Sequence, residues 1–454
     1  MELSKKKNPM GLDRPTISSI EIKKLFGEFN YSIAPSHEGG IATPLVILYG
    51  DNGSGKTTIL NLLVHILSPE PYAGHRTAIG ETHLQEFSVT LSDGHCISAK
   101  REIGKFVGEY ELSISDNSRT IVEYRWTPDR RRRIESESPN EDDAPYTLFC
   151  DTLRNIGAVI HFLSDSRKVL SFQRSRGERR PREIDEMLRS RVMHGGALIF
   201  HEEEEDSWLQ STIKKAVQTV RSLALAGTNR GFESANQIYK EIVSRIIAAD
   251  EDAIGDATQF RAILQERFTL LGERNSSYAQ CGLTPALEVA DLESLLGKAP
   301  PTSLHLLNRV LSPYLDGIQA RLDALEDAQK VVTSFSSLMS DFYRGKSVSL
   351  HVSEGISITT SRGQPLRPED LSSGEQQLML LMCNAIVARR DSVVFAIDEP
   401  ELSLNVKWQR KLVDALLDVM SGSRCQLLLA THSIELLAKY ADNVVHLQEE
   451  NEDE

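Results

Sequence analysis

The stretch Gly50-Asp-Asn-Gly-Ser-Gly-Lys-Thr57 constrains what this chain can fold into more than any other. It fills the pattern GxxxxGK[ST] at every position. It also stands between Pro44-Leu-Val-Ile-Leu-Tyr49, a continuously apolar run suited to a buried strand, and Ile59–Leu67, whose apolar spacing is helical. Glycines in such a turn let the backbone close around phosphate with its N–H groups inward, and the helix N-terminus adds positive dipole. The candidate phosphate-binding residues are therefore Gly50, Asp51, Asn52, Gly53, Ser54, Gly55, Lys56, Thr57 and Thr58. Lys56 would reach the β- and γ-phosphates, and the Thr57 hydroxyl would ligate magnesium.

A second constellation lies far downstream. Asp391-Ser-Val-Val-Phe-Ala-Ile-Asp398-Glu399 reads as an apolar strand ending in two carboxylates. The C-terminal end of a strand is where an α/β sheet presents chemistry to a ligand. Asp398 would hold the magnesium, and Glu399 would polarise an attacking water. Leu371-Ser-Ser-Gly-Glu-Gln-Gln377 precedes an apolar helix at 378–388, and Cys425–Ala430 is another strand-like run, followed by Thr431-His432-Ser433.

Taken in order, these segments resemble the ATP-binding-cassette (ABC) ATPases. Leu371–Glu375 is similar to their signature motif, Asp398-Glu399 to Walker B, His432 to the switch histidine and Pro400–Leu404 to the lead into the D-loop. Leu25–Tyr31, the P-loop and the signature together resemble the soluble RecF-like and SMC-related branch, the AAA15/AAA21 type. That branch includes the ATPase regions of OLD-family nucleases and the ATPase subunits of antiphage systems such as PARIS. The resemblance implies an ABC-ATPase head, an α/β fold with a mixed sheet built from both chain ends and interrupted by an α-helical insertion. It implies ATP and Mg2+ as cofactors, and Glu399, His432 and Lys56 as catalytic residues. It further implies a nucleotide held between the P-loop of one copy and the signature of another, with Ser372 and Gly374 meeting the γ-phosphate in trans. One set of motifs per chain then requires a homo-oligomer, at least a dimer. The sequence departs from many relatives at Asn405, where they carry His, and the nearest segment to a Q-loop is Ser164-Asp-Ser-Arg167.

The rest of the chain sets the frame. Its 454 residues allow two or three domains: an N-terminal part of the head over 1–180, a helical insertion over 181–343 that includes a short coiled-coil hairpin or a packed bundle, and a C-terminal part over 344–454. Residues 86–126 alternate as antiparallel strands between turn signals. The insertion shows polar breaks near 227–233 and 273–284. Within 314–342, Ile318, Leu322, Leu325, Val332, Phe335, Met339 and Phe342 form a roughly heptad seam with a slip near Ala328. A helix of that length spans about 40 Å, too short for the tethering coiled coils of chromosome-organising relatives.

A net charge of −14 argues against nucleic-acid binding over the whole surface. Arg130–Arg133 and Arg174, Arg176, Arg179, Arg180 and Arg182 are candidate contacts for DNA or an acidic protein, or solvated loops; they lack interleaved aromatics. Glu202–Asp206 would either pair with those arginines or open a soluble helix. Five scattered cysteines without a CxxC pair fit a reducing cytoplasm. No signal-like leader or membrane-length apolar run is present, so no membrane partner is expected. His161 and His351 stand in strand-like contexts without companions, which disfavours a metal role.

The reading that results is an oligomeric ATPase acting as sensor or scaffold of an antiphage system and controlling a separate, nuclease-like effector protein. Too little chain follows Ser433 for an appended nuclease domain, which is why the effector is expected in trans. A RecF-like repair or recombination ATPase is the alternative. A nucleotide-gated scaffold that hardly hydrolyses is disfavoured by the intact Glu399.

Overall fold

A computed structural model of the protein describes residues 15–34, 44–71, 73–117, 119–128, 144–165, 169–171, 203–247, 257–287, 294 and 296–447. The arginine runs at 130–133 and 174–182, Glu202 with the side chains through Asp206, and the acidic C-terminal residues lie outside the described set. Two compact units are present. One joins Met1–Glu204, Val387–Leu417 and Ser423–Glu454, and the other joins Glu205–Ile386 and Asp418–Gly422.

The first unit opens with β1 (Ile17–Leu25), β2 (Phe29–Ile33), β3 (Leu45–Tyr49), α1 (Lys56–Leu67) and α2 (His75–Glu81). Strands β4 (Glu86–Leu91), β5 (His95–Lys100), β6 (Tyr110–Asp116) and β7 (Arg119–Trp126) follow, then α3 (Ala144–Ile156), β8 (Ile160–Leu163) and β9 (Val169–Ser171). Strands β1, β2 and β4–β7 make a six-stranded antiparallel sheet in the order β2-β1-β4-β5-β6-β7. Its alternating burial, seen in β7, fits a sheet with one covered face.

The second unit carries three long helices, α4 (Glu203–Ile247), α5 (Ala257–Gln280) and α6 (Pro301–Phe342), then β10 (Lys346–His351), β11 (Gly355–Thr360) and β12 (Pro365–Leu366). Helix α7 (Ser373–Asp391) leads back into the first unit, which holds β13 (Val394–Asp398), all but the last turn of α8 (Val406–Met420), β14 (Gln426–Thr431), α9 (Ile434–Leu437) and β15 (Val444–His446).

A second six-stranded sheet, ordered β15-β3-β14-β13-β8-β9, is parallel throughout except for β9 at its edge. Its central strands are apolar and buried along almost their whole length, as strands covered on both faces must be. Because β3, β14 and β13 run parallel, their C-terminal ends share one edge. The P-loop, Thr431 and Asp398 therefore meet there. One apolar core joins both sheets to α1 and α3, with Ile59, Leu63, Phe87, Phe149 and Phe162 fully buried in it. Each such side chain contributes about 1.5–3 kcal/mol of burial. The buried Gln426 side chain links the sheets, accepting from the Ile17 amide at 2.9 Å and donating to its carbonyl at 3.1 Å. At the far end of α1, the buried Arg76 guanidinium donates to the carbonyls of His65 and Ser68, closing the open end of that helix.

In the second unit, α4 has 45 residues and α6 has 42. At 1.5 Å per residue these span about 68 and about 63 Å, well beyond the length expected from the heptad seam alone. Helix α6 starts with Pro301 in its first turn, where a missing N–H costs nothing, and continues through Pro313. The polar stretch 227–233 does not break α4. Gly227 lets the α4 and α6 backbones touch, for a Cβ there would lie 2.5 Å from the Ala324 carbonyl, and Thr228 returns its hydroxyl to Ala224. Arg267–Asp316 and Arg274–Asp323, at 2.6 and 2.5 Å, step by one heptad on both helices in the same direction, so α5 and α6 run parallel. Along the seam Leu322, Leu325, Val332, Phe335, Met339 and Phe342 are buried within the chain itself, as is Ala328 at the slip.

Candidate functional site

The strand edge gathers the residues singled out in the first unit. Beyond β3 the chain turns through Gly55, whose φ of 87° lies in the left-handed region and which caps α1. A Cβ on Gly55 would also lie 2.7 Å from Leu25 Cδ2, so the loop tolerates nothing larger there. Lys56 is buried and donates to the Gly50 and Asp51 carbonyls at 2.7 and 2.9 Å, which leaves the ammonium a third N–H. Ser54 has a buried hydroxyl without a partner among the described residues, while Asp51, Asn52, Gly53 and Thr57 are exposed and Thr58 half-buried.

Asp398 ends β13 at 2% exposure, and neither carboxylate oxygen has a close hydrogen-bond partner among the described residues. Burial pushes its pKa up to about 6; Asp165 and Glu399 add to this, while the Thr57 hydroxyl and Lys56 pull the other way. A buried carboxylate beside a hydroxyl, both otherwise unused, is the oxygen donor set that a hard cation takes, so Thr57 and Asp398 fit magnesium. Asp165, from the segment nearest a Q-loop by position, therefore reaches this edge; Ser166 and Arg167 lie outside the described residues.

Glu399 has a φ of 47°, unusual for a residue with a side chain, and its N–H donates to the Ala430 carbonyl at 2.8 Å. This turn brings Glu399 Oε1 within 3.3 Å of His432 Nδ1. Glu401, which the sequence reading passed over as part of the lead into the D-loop, also belongs here. Its buried carboxylate lies 3.5 Å from His432 Nδ1, accepts the His432 amide at 3.2 Å and accepts the Thr431 hydroxyl. Gln409 closes the network, donating to the Leu404 carbonyl at 2.9 Å and accepting the Ser433 hydroxyl at 3.0 Å. Asn405 caps α8 through its side-chain oxygen on the Trp408 amide at 3.1 Å. His161 packs its ring against Phe395 in the sheet core, and His351 Nδ1 takes the Ser353 hydroxyl in the second unit.

Phe26 lies in the Leu25–Tyr31 segment that carries the resemblance, but no role follows for it from the sequence. It is 42% exposed, holds a φ of 56°, and its ring edge stands 3.4 Å from where a Gly55 Cβ would be. Phe29 meets it edge-on and stacks on Tyr31, whose hydroxyl donates to the Ser54 carbonyl at 2.9 Å. An aromatic face held open beside a phosphate loop offers a flat partner for a base.

In the second unit, Ser372 precedes α7, and Glu375, in the helix's first turn, binds back to it. Glu375 Oε2 accepts the Ser372 amide at 2.9 Å and the Ser372 hydroxyl at 2.8 Å, while Oε1 accepts Lys346 Nζ at 2.5 Å. Burial works against the charge on Glu375, yet the Lys346 and Ser372 hydrogen bonds hold its carboxyl below the usual range. Ser372 is exposed and Gly374 half-buried.

The mixed sheet, the P-loop and the carboxylate–histidine edge define an ABC-type ATPase head. The sequence profile described as "AAA domain, putative AbiEii toxin, Type IV TA system" matches residues 45–438, and the chain belongs to this AAA_21 family. It is 38% identical over 89 residues, 20% of this chain, to the lipoprotein-releasing system ATP-binding protein LolD 1 of Rhodospirillum rubrum. That match spans 38% of the relative's length. Among solved structures it is similar to the Smc head domain with an extended coiled coil bound to the C-terminal domain of ScpA, derived from Pyrococcus furiosus, at 13% identity and a TM-score of 0.36. That alignment covers 96% of this chain and 94% of the other. A second Smc head, bound to the C-winged helix domain of ScpA, aligns at 12% identity with a TM-score of 0.38 over 95% and 94%. No helix among the described residues is long and apolar enough to cross a membrane.

Proposed function

We propose that this chain binds and hydrolyses ATP at a site completed by a second copy of itself, and that nucleotide state controls a separate, nuclease-like effector in an antiphage system. The observation that carries the ATPase part is the convergence at one strand edge of a buried lysine, a buried carboxylate beside the Thr57 hydroxyl and a second carboxylate touching a histidine. Lys56 and the loop amides bind the β- and γ-phosphates, and Phe26 lies against the base. Magnesium held by Thr57 and Asp398 would neutralise phosphate charge. Glu399 accepts a proton from the attacking water, and His432, steadied by Glu401, stands beside it and the terminal phosphate. Ser372 and the Gly374 amide of the other copy complete the phosphate contacts at a helix N-terminus.

The defence role is supported by the family's description, which names a toxin and a toxin–antitoxin system. The chain's neighbours in its genome and a nuclease assay on purified protein test that part together. The expected result is no cleavage of DNA, RNA or transfer RNA by the chain with ATP and magnesium, and cleavage once the neighbouring gene's product is added. Cleavage by the chain alone, abolished by a point substitution outside the ATP site, would sink the effector in trans.

A further inference from the structure

A carboxylate in the first turn of a helix suits the helix itself, because it meets the positive end of the dipole. At a helix that is also to receive a phosphate, the same carboxylate is an obstacle. Glu375 occupies the Ser372 amide and hydroxyl, two donors an anion would use, and brings a negative charge to the place of approach. Among the described residues Lys346 supplies a direct counter-charge. Lys346 Nζ sits 2.5 Å from Glu375 Oε1, with side-chain exposures of 23% and 9%, so the pair is largely withdrawn from water. Lys346 is the first residue of β10, four positions beyond the end of α6, and Tyr343 between them donates its buried hydroxyl to the Glu375 carbonyl at 2.5 Å. Gln376 fastens the other side of the turn through the Glu369 and Leu371 carbonyls, both at 3.2 Å. The signature is thus gripped from the foot of α6, through Lys346 on the carboxylate and Tyr343 on the backbone.

We propose that Lys346 is the positioning residue of the signature: it neutralises Glu375 and anchors it through Oε1, so that the Ser372 amide and hydroxyl can pass from Oε2 to an anionic phosphate of the partner copy. This rests on Ser372 and Gly374 being the trans phosphate contact. Lys346 does not touch nucleotide. Removing it leaves an unpaired carboxylate beside Ser372, which acts on the partner copy's nucleotide and not on the chain's own P-loop.

The test uses the full chain with three substitutions: Lys346→Met, Lys346→Arg, and Lys346→Met combined with Glu375→Gln. Gln keeps the capping hydrogen bond to Ser372 without the charge. Lys346→Met is expected to bind a fluorescent ATP analogue within about threefold of the parent, while turnover at saturating ATP falls about ten- to hundredfold, the scale of a misplaced contact group. Lys346→Arg and the double variant should recover most of that loss. Mixing Lys346→Met with Lys56→Ala should restore turnover, because one composite site then keeps Lys56 from one chain and an intact signature from the other. Three results would overturn the proposal: parental turnover in Lys346→Met, a double variant as poor as the single one, or no recovery on mixing under conditions where Ser372→Arg recovers with Lys56→Ala. Should Lys346→Met fail to fold, Lys346→Gln takes its place, with a loss of turnover that Glu375→Gln reverses for the proposal and parental turnover against it. Full turnover in Ser372→Arg would instead refute the reading of the signature itself.

Discussion

At the ends of β3, β13 and β14, Asp398 keeps both carboxylate oxygens buried without close hydrogen-bond partners among the described residues, whereas at the head of α7 Glu375 has both of its oxygens taken. Ser54 and Glu401 each add another buried, unpartnered oxygen to the first region. An unsatisfied buried polar group costs about 1–3 kcal/mol, so three residues carrying such oxygens near one strand edge call for an explanation, and a bound ligand or ion supplies one. The signature carries the opposite bias: its polar groups satisfy one another and must be parted before they serve a ligand. On the proposed reading, the strand edge is built to receive and the signature to be switched. Substitutions at the strand edge should therefore act on the chain's own nucleotide, and substitutions at the signature on its partner's.

The largest break in that comparison is expected at Glu399. Glu399→Gln removes the proton acceptor but leaves the phosphate and cation contacts, so turnover should fall at least about a hundredfold while ATP binding persists. Normal turnover in this variant would remove Glu399 from the mechanism. A smaller effect follows from Glu401→Ala, which frees the Thr431 hydroxyl and the His432 amide. Turnover should drop about tenfold and stability by about 1–3 kcal/mol, the cost of orphaned buried groups. Denaturant melts and single-turnover rates on the same preparation separate the two, and an unchanged rate would show that His432 needs no support.

Smaller again is Phe26→Ala. Loss of one stacking face should weaken ATP binding about threefold to tenfold with little change in turnover at saturation, and should weaken GTP similarly because every base has a flat face. Equal affinities for parent and variant would dissociate Phe26 from the base. The smallest effect concerns the first unit's core near Arg76. Burial, with Arg76 adjacent, holds His65 and His75 below the ordinary imidazole value of 6.5, His65 down to about 4. The unfolded chain then takes up protons first, so stability is complete above about pH 6.5 and falls as pH drops toward 4. The slope is at most about 1.4 kcal/mol per pH unit per group. Thermal melts at pH 7.5 and 5 should show this decline, and His65→Asn should shrink it; a melt unchanged between those pH values would contradict it.

The strand edge was legible in the sequence because its parts are local. A glycine loop between an apolar run and a helix, and carboxylates closing an apolar strand, announce themselves within ten residues or so. Glu401 and Phe26 were not legible for the same reason reversed. Glu401 serves the histidine loop 30 residues on, and Phe26 reaches the P-loop only through the pairing of β1 in a separate sheet. The antiparallel run 86–126 was readable from its turns, but the insertion of β1 between β2 and β4 was not. In the insertion, the polar stretch at 227–233 read as a break, although contact with α6 carries the helix through it. The parallel direction of α5 and α6 is a matter of how distant helices pair, which no local sequence pattern reports.

The central claim, that two copies share each site, is tested most directly by mixing Ser372→Arg with Lys56→Ala after confirmed subunit exchange. Each variant alone should be inactive, the first still binding ATP. An equal mixture should recover up to about a quarter of parental turnover, the share of sites that keep both groups in a statistical dimer. A mixture that exchanges subunits and stays inactive would contradict the account, as would a Ser372→Arg variant that turns over normally by itself.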